Sequence, residues 1–350
     1  MTRNRARLVT AAAAAIAVVA VAIGAPAPAA AAARLEAPTL GFLAGPGVRV
    51  DARAHALHGL GRIRWTGRRF ATATGDSVKV KVSAAYGSDA RVAQQWADFF
   101  ASLLHGSELG LLTAYIAPLD EVQTLCGDEA LGCYGANRLV VVGDSSGGVP
   151  PASVAAHEYG HHVANNRVNP PWHAVDWGTK RWASQMNVCA RAAAGTAFPG
   201  DEGSDYALNP GEAFAETYRV LNETQRGLPL TWPIVDPSFI PDAEALQAVG
   251  DDVLHPWTAP ATQTIRVVFG AHRRVWTRKL ATHLDGQLSA QIGGSTDLQL
   301  LGGGRSLAPG TWTAGGSKAI EYQICGRRSV DVRVTRYGGP RSLTLRLSLP

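Results

Sequence analysis

The segment 154–166, VAAHEYGHHVANN, restricts the possible folds of this chain more than any other stretch. His157 and His161 are four residues apart, a spacing that an α-helix places on one face. Pro150 and Pro151 precede the segment and suit the first turn of a helix, where a missing N–H costs little. Small and apolar residues surround the two histidines, which indicates a buried helix. The chain must therefore build a core around this helix.

Two imidazoles on one helix face can offer two nitrogens to one metal ion. Glu158 would point toward an open coordination position and take a proton from a water that zinc has made more acidic. The His-Glu-x-x-His spacing is rare by chance in a chain with 10 histidines among 350 residues. We therefore predict a Zn²⁺ site with His157 and His161 as ligands and Glu158 as general base. The alternative is a solvated helix with accidental histidine spacing, and His162 lies off the ligand face.

A third protein ligand is expected from a later helix, because a catalytic zinc site has three protein ligands and an open position. The stretch NPGEAFAETY at 209–218 places Glu212 and Glu216 four residues apart on one face. One carboxylate can bind the metal while the other holds a ligand histidine by its second ring nitrogen. A capping box with Asn209 as N-cap would instead explain Glu212 without a metal, and Glu216 would then be the ligand.

The pair HEYGHH and NPGEAFAETY resembles the gluzincin metallopeptidases, and its Glu-x-Phe-Ala-Glu core is similar to the anthrax lethal factor group. The resemblance covers roughly residues 135–222. It implies that Glu212 is the third zinc ligand and that Glu216 supports a ligand histidine. It also implies that Tyr206 helps to stabilise the oxyanion of the transition state.

The same resemblance implies that an edge strand beside the zinc helix binds the substrate as an added strand. Residues 137–143, NRLVVVG, stand where that strand is expected. An ordinary core strand explains this apolar run equally well.

The pattern along the chain predicts an α+β fold. Strands are expected at 77–83, 111–118 and 137–144, and a helix capped by Asp89 at 89–104. Helices are expected after the histidine segment, at 179–194 and 210–223. With the resemblance, this predicts a zincin-like catalytic domain at 76–255, with a mixed sheet and active-site helices.

Beyond a Pro-containing linker at 256–262, the pattern changes to short alternating runs separated by Gly and Pro, which predicts an antiparallel β-sandwich at 263–350. This region resembles the bacterial pre-peptidase C-terminal domain. Trp276 and Trp312 are either sugar-stacking platforms or core and turn residues. The expected inward-facing residues are Val330, Val332, Val334, Leu343, Leu345, Leu347, Leu349, Leu288, Ala290 and Ile292.

Residues 1–33 have the layout of a secretory signal peptide: a basic start, a short apolar run and small residues. Residues 34–75 are either a pro-segment or the first strands of the catalytic domain. In an exported chain the four cysteines can pair. Cys126 and Cys133 are close enough to clip a local loop, which leaves Cys189 and Cys325 as partners, although four cysteines allow three connectivities.

Charge argues against a nucleic-acid partner. The net charge of +5 falls to +2 without the signal peptide, with 30 Lys+Arg against 28 Asp+Glu. We expect a secreted, extracellular zinc metallopeptidase, an endopeptidase rather than an exopeptidase, acting on peptides or proteins, with no membrane span in the mature chain. The C-terminal domain could bind cell wall or polysaccharide. The alternatives are a non-catalytic wall- or matrix-binding protein with a structural zinc site, and a zinc hydrolase of a non-peptide bond.

Overall fold

The structure is a computed structural model that describes residues 33–41, 43, 57, 59–145, 148–326 and 328–350. The predicted signal peptide ends where this description begins, and most of residues 42–58 also lie outside it. The described chain is a mixed α+β protein with a C-terminal region that resembles a β-sandwich.

The N-terminal part contains a mixed sheet of six strands in the order β1-β3-β4-β6-β5, with β2 also paired to β3. Strands β3, β4 and β6 are parallel, whereas β1, β2 and β5 are antiparallel to their neighbours. Of the parallel strands, β6 is buried on both faces after its first residue, whereas β3 alternates buried valines with half-exposed polar residues. The strands are β1 (Trp65–Thr66), β2 (Arg69–Ala71), β3 (Ser77–Ser83), β4 (Thr113–Ala117), β5 (Gly132–Gly135) and β6 (Arg138–Val142).

Eight α-helices lie in the described part of this region. Asp89 caps the first helix, since its side chain accepts hydrogen bonds from the N–H groups of Arg91 and Val92. The helices are α1 (Ala90–Ser102), α2 (Leu119–Cys126), α3 (Pro151–Asn165), α4 (Ala174–Trp177), α5 (Lys180–Gln185), α6 (Val188–Ala193), α7 (Pro210–Thr224) and α8 (Ala243–Leu254).

The single helix predicted at 179–194 is wrong, because the segment forms α5 and α6 instead. Asn187 separates them in the left-handed conformation, with φ 54° and ψ 36°. Asparagine tolerates this conformation better than most residues, because its short side chain hydrogen-bonds locally. A helical pattern of apolar residues persists across the break, so periodicity alone does not reveal it.

The C-terminal region has two antiparallel sheets, with strand orders β11-β10-β14-β8 and β12-β13-β9-β15-β7. Alternate residues point into a core between the sheets. All ten expected inward-facing residues belong to this core or pack against it. The strands are β7 (Ala261–Val268), β8 (Val275–Thr282), β9 (Gly286–Gly293), β10 (Thr296–Gly302), β11 (Arg305–Pro309), β12 (Thr311–Trp312), β13 (Ser317–Ile324), β14 (Arg328–Arg336) and β15 (Ser342–Leu349).

Both expected disulfides are present. Cys126–Cys133 joins the end of α2 to β5, and Cys189–Cys325 joins α6 to the C-terminal region. Paired cysteines indicate an oxidising, extracellular environment. Within the described residues, no helix has the length and apolarity of a membrane span.

The segment before the sheet packs into the first core rather than standing apart from it. Leu35 is buried in that core, and the N–H of Glu36 donates to the carbonyl of Gly143. Further along, β1 and β2 add to the sheet through β3. Residues on both sides of the undescribed stretch 44–56 therefore belong to the first core.

Candidate metal centre

The candidate centre forms where α3 and α7 pack together. Gly160 of α3 allows the close approach, because a Cβ built there would lie 2.6 Å from the Cα of Ala215 in α7. Both helices begin with proline at their first position, Pro151 and Pro210. Proline suits this position because its missing N–H would have no partner inside the helix.

Three side chains from these helices converge on one point. The Nε2 atoms of His157 and His161 are 3.3 Å apart. The two carboxylate oxygens of Glu212 lie 3.3 Å from His157 Nε2 and 3.4 Å from His161 Nε2, respectively. All three side chains are buried. One ligand atom from each falls within 4.8 Å of the others, so the group can bind a metal ion.

The capping-box alternative for Glu212 is wrong. Asn209 does cap α7, since its side chain accepts a hydrogen bond from the N–H of Gly211. In a capping box the Glu212 carboxylate would accept from the N–H of Asn209, but that N–H donates to the carbonyl of Tyr206. The carboxylate of Glu212 instead turns toward the two histidines.

Glu216 takes a different position from Glu212. Its Oε2 lies 3.2 Å from Nδ1 of His157, on the side of the ring away from the cluster. Arg219 binds both of its oxygens, from Nε at 2.8 Å and from Nη2 at 2.7 Å. Glu216 is thus placed to fix the orientation of the His157 ring while Glu212 faces the cluster.

Tyr206 contacts the same cluster from the turn before α7. Its hydroxyl donates to Oε2 of Glu212 at 2.8 Å. Burial and the neighbouring Glu212 carboxylate raise the pKa of Tyr206 well above its ordinary value. The hydroxyl therefore stays protonated at neutral pH and remains a hydrogen-bond donor beside the candidate ligands.

The carboxylate of Glu212 and the imidazole of His157 stabilise each other's charged forms. Burial raises the pKa of the Glu212 carboxyl, but His161 and His157 outweigh burial and hold that pKa at about 2. Burial lowers the pKa of His157, but its hydrogen bonds to Glu212 and Glu216 leave the pKa raised. The site therefore holds a buried carboxylate that attracts positive charge, either a proton on histidine or a metal ion.

Glu158 is fully buried between α3 and strand β5. A Cβ built on Gly132 of β5 would lie only 3.0 Å from Cγ and Oε1 of Glu158. The glycine thus leaves room for the carboxylate beside the strand. Sequence analysis did not identify Gly132, because its role depends on which strand lies beside α3.

The edge strand is β5, which corrects the candidate at 137–143. That segment forms β6, which lies inside the sheet between β4 and β5. The interpretation as an ordinary core strand is therefore the correct one. A tight turn with positive φ at Ala136 and Asn137 links β5 to β6, and asparagine tolerates this conformation better than most residues.

His162 faces away from the cluster, as expected. Its Nε2 lies 2.8 Å from the carbonyl oxygen of Glu108 and its Nδ1 lies 3.1 Å from the hydroxyl of Tyr134. Burial lowers its pKa to about 4. His162 is therefore neutral at pH 7, and its contacts link α3 to Glu108 and to Tyr134 of β5.

The two sandwich tryptophans differ. Trp276 is half-buried and packs against the sandwich core. Trp312 is 59% exposed at the short strand β12, and the ammonium of Lys318 lies 4.7 Å from its ring centre. Of the two, Trp312 alone offers an exposed ring face to a ligand.

Comparison with known proteins adds little. No protein-family model matches the chain, and no curated protein matches its sequence. One similar solved structure is the pre-peptidase C-terminal domain of a collagenase from Bacillus anthracis, with 16% identity over 26% of this chain and 90% of that chain and a TM-score of 0.20. Another is IMPa from Pseudomonas aeruginosa in complex with an O-glycopeptide, with 11% identity over 82% of this chain and 42% of that chain and a TM-score of 0.20. Scores this low carry no argument about fold or function.

Proposed function

We propose that this protein is a secreted zinc-dependent metallopeptidase with a zincin-like catalytic domain. The observation that carries the proposal is the convergence of His157, His161 and Glu212 on one buried point. Glu158, which is next to the first histidine in sequence, is buried beside the edge strand.

The geometry of the cluster fits zinc. The Nε2 atoms of His157 and His161 are 3.3 Å apart, and they lie 3.3 and 3.4 Å from Oε2 and Oε1 of Glu212, respectively. Tetrahedral coordination with ligands at about 2.0–2.1 Å separates ligand atoms by about 3.3–3.4 Å. Two imidazole nitrogens also favour zinc over calcium or magnesium, which prefer oxygen ligands. Three protein ligands leave a fourth position for a reactant, as in catalytic rather than structural zinc sites.

The residues of the chain then have separate roles. His157, His161 and Glu212 would hold a zinc ion, which would supply a bound water of lowered pKa and a Lewis acid for the substrate carbonyl. Glu158 accepts the proton of that water and later donates a proton to the leaving amine. Glu216 keeps the His157 ring oriented. The Tyr206 hydroxyl, which donates to Glu212 in the structure, would turn to donate a hydrogen bond to the oxyanion that develops on the carbonyl oxygen.

Strand β5 is the proposed docking edge for the peptide. It pairs with β6 on one side, and among the described residues no strand pairs with its other side. An extended peptide can add there through main-chain hydrogen bonds, which do not depend on its side chains. Gly132 would then bring the bound peptide next to Glu158.

Cleavage of a mixed peptide library by residues 34–350 tests the proposal. We expect new peptide termini, loss of cleavage after chelation and recovery on adding zinc. The exposed-site variant Glu321→Gln is a matched control that should cleave like the wild type, since Glu321 lies in the sandwich. Failure to cleave any peptide, with about one zinc bound per chain, would contradict the peptidase function.

A polysaccharide-binding role for the C-terminal region is a second proposal, and it depends on the exposure of Trp312. Exposed tryptophan rings bind sugar faces by stacking. We expect the full chain to sediment with insoluble cell-wall polysaccharide and Trp312→Ala to lose that binding. Equal sedimentation of both proteins would contradict a role for Trp312.

A further inference from the structure

We propose that Arg219 is a positioning residue that sets the metal affinity of the centre by holding Glu216 against His157. Through Glu223 and Ser153, the same network ties α7 to α3. The inference rests on the metal-binding part of the proposed function and does not depend on which bond is cleaved.

Arg219 holds the carboxylate of Glu216 by two hydrogen bonds, one to each oxygen. The guanidinium donates from Nε to Oε2 and from Nη2 to Oε1, at 2.8 and 2.7 Å. Such a paired contact restrains both the position and the plane of the carboxylate. Oε2 is also the oxygen that lies 3.2 Å from Nδ1 of His157. Arg219 therefore acts on the ring of a candidate metal ligand through one intervening group.

Arg219 is itself held in place. It is fully buried, and Nη2 also donates to the carbonyl of Thr231 at 2.8 Å. Its Nη1 forms an ion pair with Glu223, one helical turn further along α7. A buried guanidinium bonded on several sides cannot swing away from Glu216 without breaking several hydrogen bonds.

Glu223 extends the network to the other ligand helix. Its Oε1 lies 2.7 Å from Oγ of Ser153 in α3, four residues before His157. The network therefore spans the two helices that supply the ligands. It connects the helix carrying Glu212 to the helix carrying both histidines, at a point beside the cluster.

Lysine in place of Arg219 separates positioning from charge. It keeps the positive charge that two buried carboxylates require, but an ammonium cannot make the two parallel bonds of a guanidinium. Glu216 would remain ionised and lose its fixed orientation. Loss of a residue that orients a metal ligand typically weakens metal binding about 10- to 100-fold.

A second buried arginine provides a matched control. Nη2 of Arg167 lies 2.8 Å from Oε2 of Glu108, and the arginine side chain is 6% exposed. Glu108 also contacts Tyr159 of α3. Neither Glu108 nor Arg167 has a described contact with the candidate metal ligands. Arg167→Lys should therefore lower the free energy of unfolding without changing metal affinity.

The experiment measures the zinc dissociation constant of the full chain by competition with a chelator. The proteins are the wild type, Arg219→Lys, Glu216→Gln, the double variant and Arg167→Lys, and denaturant unfolding of each metal-free protein is measured in parallel. We expect about tenfold weaker binding for Arg219→Lys. The double variant should bind within about twofold of Glu216→Gln, because Arg219 acts through Glu216. Arg167→Lys should bind zinc like the wild type.

Two results would overturn the inference alone: unchanged zinc affinity in Arg219→Lys, or a loss that adds in full to that of Glu216→Gln. A wild type that binds no zinc would overturn the inference and the proposed function together. If Arg219→Lys does not fold, Glu223→Gln tests the same network, because it keeps the contact with Ser153 while weakening the hold on Arg219. Unchanged zinc affinity in that variant would also overturn the inference.

Discussion

At the scale of single residues, neighbouring histidines on one helix have opposite environments. His161 faces the carboxylate of Glu212, whereas His162 faces a carbonyl and a tyrosine hydroxyl. A histidine beside a carboxylate is stabilised in a cationic or metal-bound form, and a histidine without one is stabilised as neutral. The different partners thus assign one residue to the centre and the other to the core.

The neutral state of His162 predicts a pH-dependent stability. Its pKa is about 4 in the folded protein against an ordinary 6.5. Between these values the unfolded chain takes up a proton that the folded chain does not, so stability falls as the pH drops from 6.5 to 4. The contribution is about 3 kcal/mol in total. Denaturant unfolding of the metal-free protein across this range measures it.

In His162→Gln this pH-dependent contribution should be absent, while the exposed control His173→Gln should retain it. An identical pH profile in wild type and His162→Gln would contradict the neutral assignment.

The sequence predicted that His157 and His161 face the same point because four-residue spacing on a helix is enough to align two side chains. Arg219 was not predicted from the sequence, although it lies three residues after Glu216 and four before Glu223. This spacing is typical of ion pairs on a helix surface. On most helices such charges are solvated. Only the packing of α7 against α3 makes these three residues a buried network.

At the scale of elements, the centre depends on how closely α3 approaches α7. A Cβ at position 160 would meet the Cα and carbonyl oxygen of Ala215 at 2.6 and 3.0 Å. These are backbone atoms, so no side chain can turn aside to relieve the contact. The helices would have to separate, and with them Glu212 from the histidines.

Gly160→Ala should therefore lower the free energy of unfolding by about 1–3 kcal/mol and reduce the zinc bound per chain. Denaturant midpoints and metal analysis check both effects. The helix glycine Gly250 has only Leu104 Cδ2 within 4.0 Å, so Gly250→Ala should be neutral or stabilising by up to about 1 kcal/mol. Full zinc content in Gly160→Ala would contradict the role of the close approach.

Strand β5 offers a second element-scale test, at Gly132. An added methyl would push against Glu158 and the carbonyl of Val140, both at 3.0 Å. If the proposed function is correct, Gly132→Ala should still bind zinc but lose activity about 10- to 100-fold, since the proposed general base Glu158 would be displaced. Gly293→Ala, in a strand position with room, is the control. Unchanged peptide cleavage in Gly132→Ala would argue against this placement of Glu158.

The sequence did not reveal β5 because four residues, GCYG, are too few to show an alternating pattern. The longer apolar run that forms β6 was the candidate for the edge strand instead. Period and composition identify strands well, but whether a strand is central or at an edge depends on pairings between distant segments. The long alternating strands of the sandwich, such as β9 and β10, lack this ambiguity because one face of each is buried.

At the scale of the whole molecule, the two disulfides have different consequences. Cys189–Cys325 closes a separation of 136 residues between two hydrophobic cores, and Cys126–Cys133 closes one of seven. Longer loops lose more entropy in the unfolded chain when they are cross-linked. The shorter disulfide instead holds β5, which carries Gly132 beside Glu158.

Replacing the long disulfide by two serines should lower the free energy of unfolding by about 5 kcal/mol, and replacing the short one by about 2 kcal/mol. Peptide cleavage per folded molecule should show the opposite order, with the greater loss in Cys126→Ser/Cys133→Ser. Denaturant unfolding and cleavage rates measure the two orders. If the same disulfide variant lost more of both stability and cleavage, the separate roles of the two disulfides would be contradicted.

The alternating C-terminal strands could be read from the sequence because they depend on local pattern. The two cysteine pairs were expected from the closeness of Cys126 to Cys133, but the structure was needed to choose among three connectivities. The packing of residues 35–41 against the first core could not be read in this way. Leu35 and Glu36 make their contacts with the end of β6 and with Trp96, more than 50 residues away along the chain. No short-range pattern encodes such contacts.

In the proposed function, a zinc centre of His157, His161 and Glu212 hydrolyses peptide bonds with Glu158 as the proton acceptor. The most direct measurement compares zinc content and peptide cleavage in wild type and Glu158→Gln. We predict about one zinc per chain in both proteins and cleavage by the wild type alone. Cleavage by Glu158→Gln at the wild-type rate, or a wild type without bound zinc, would contradict the claim.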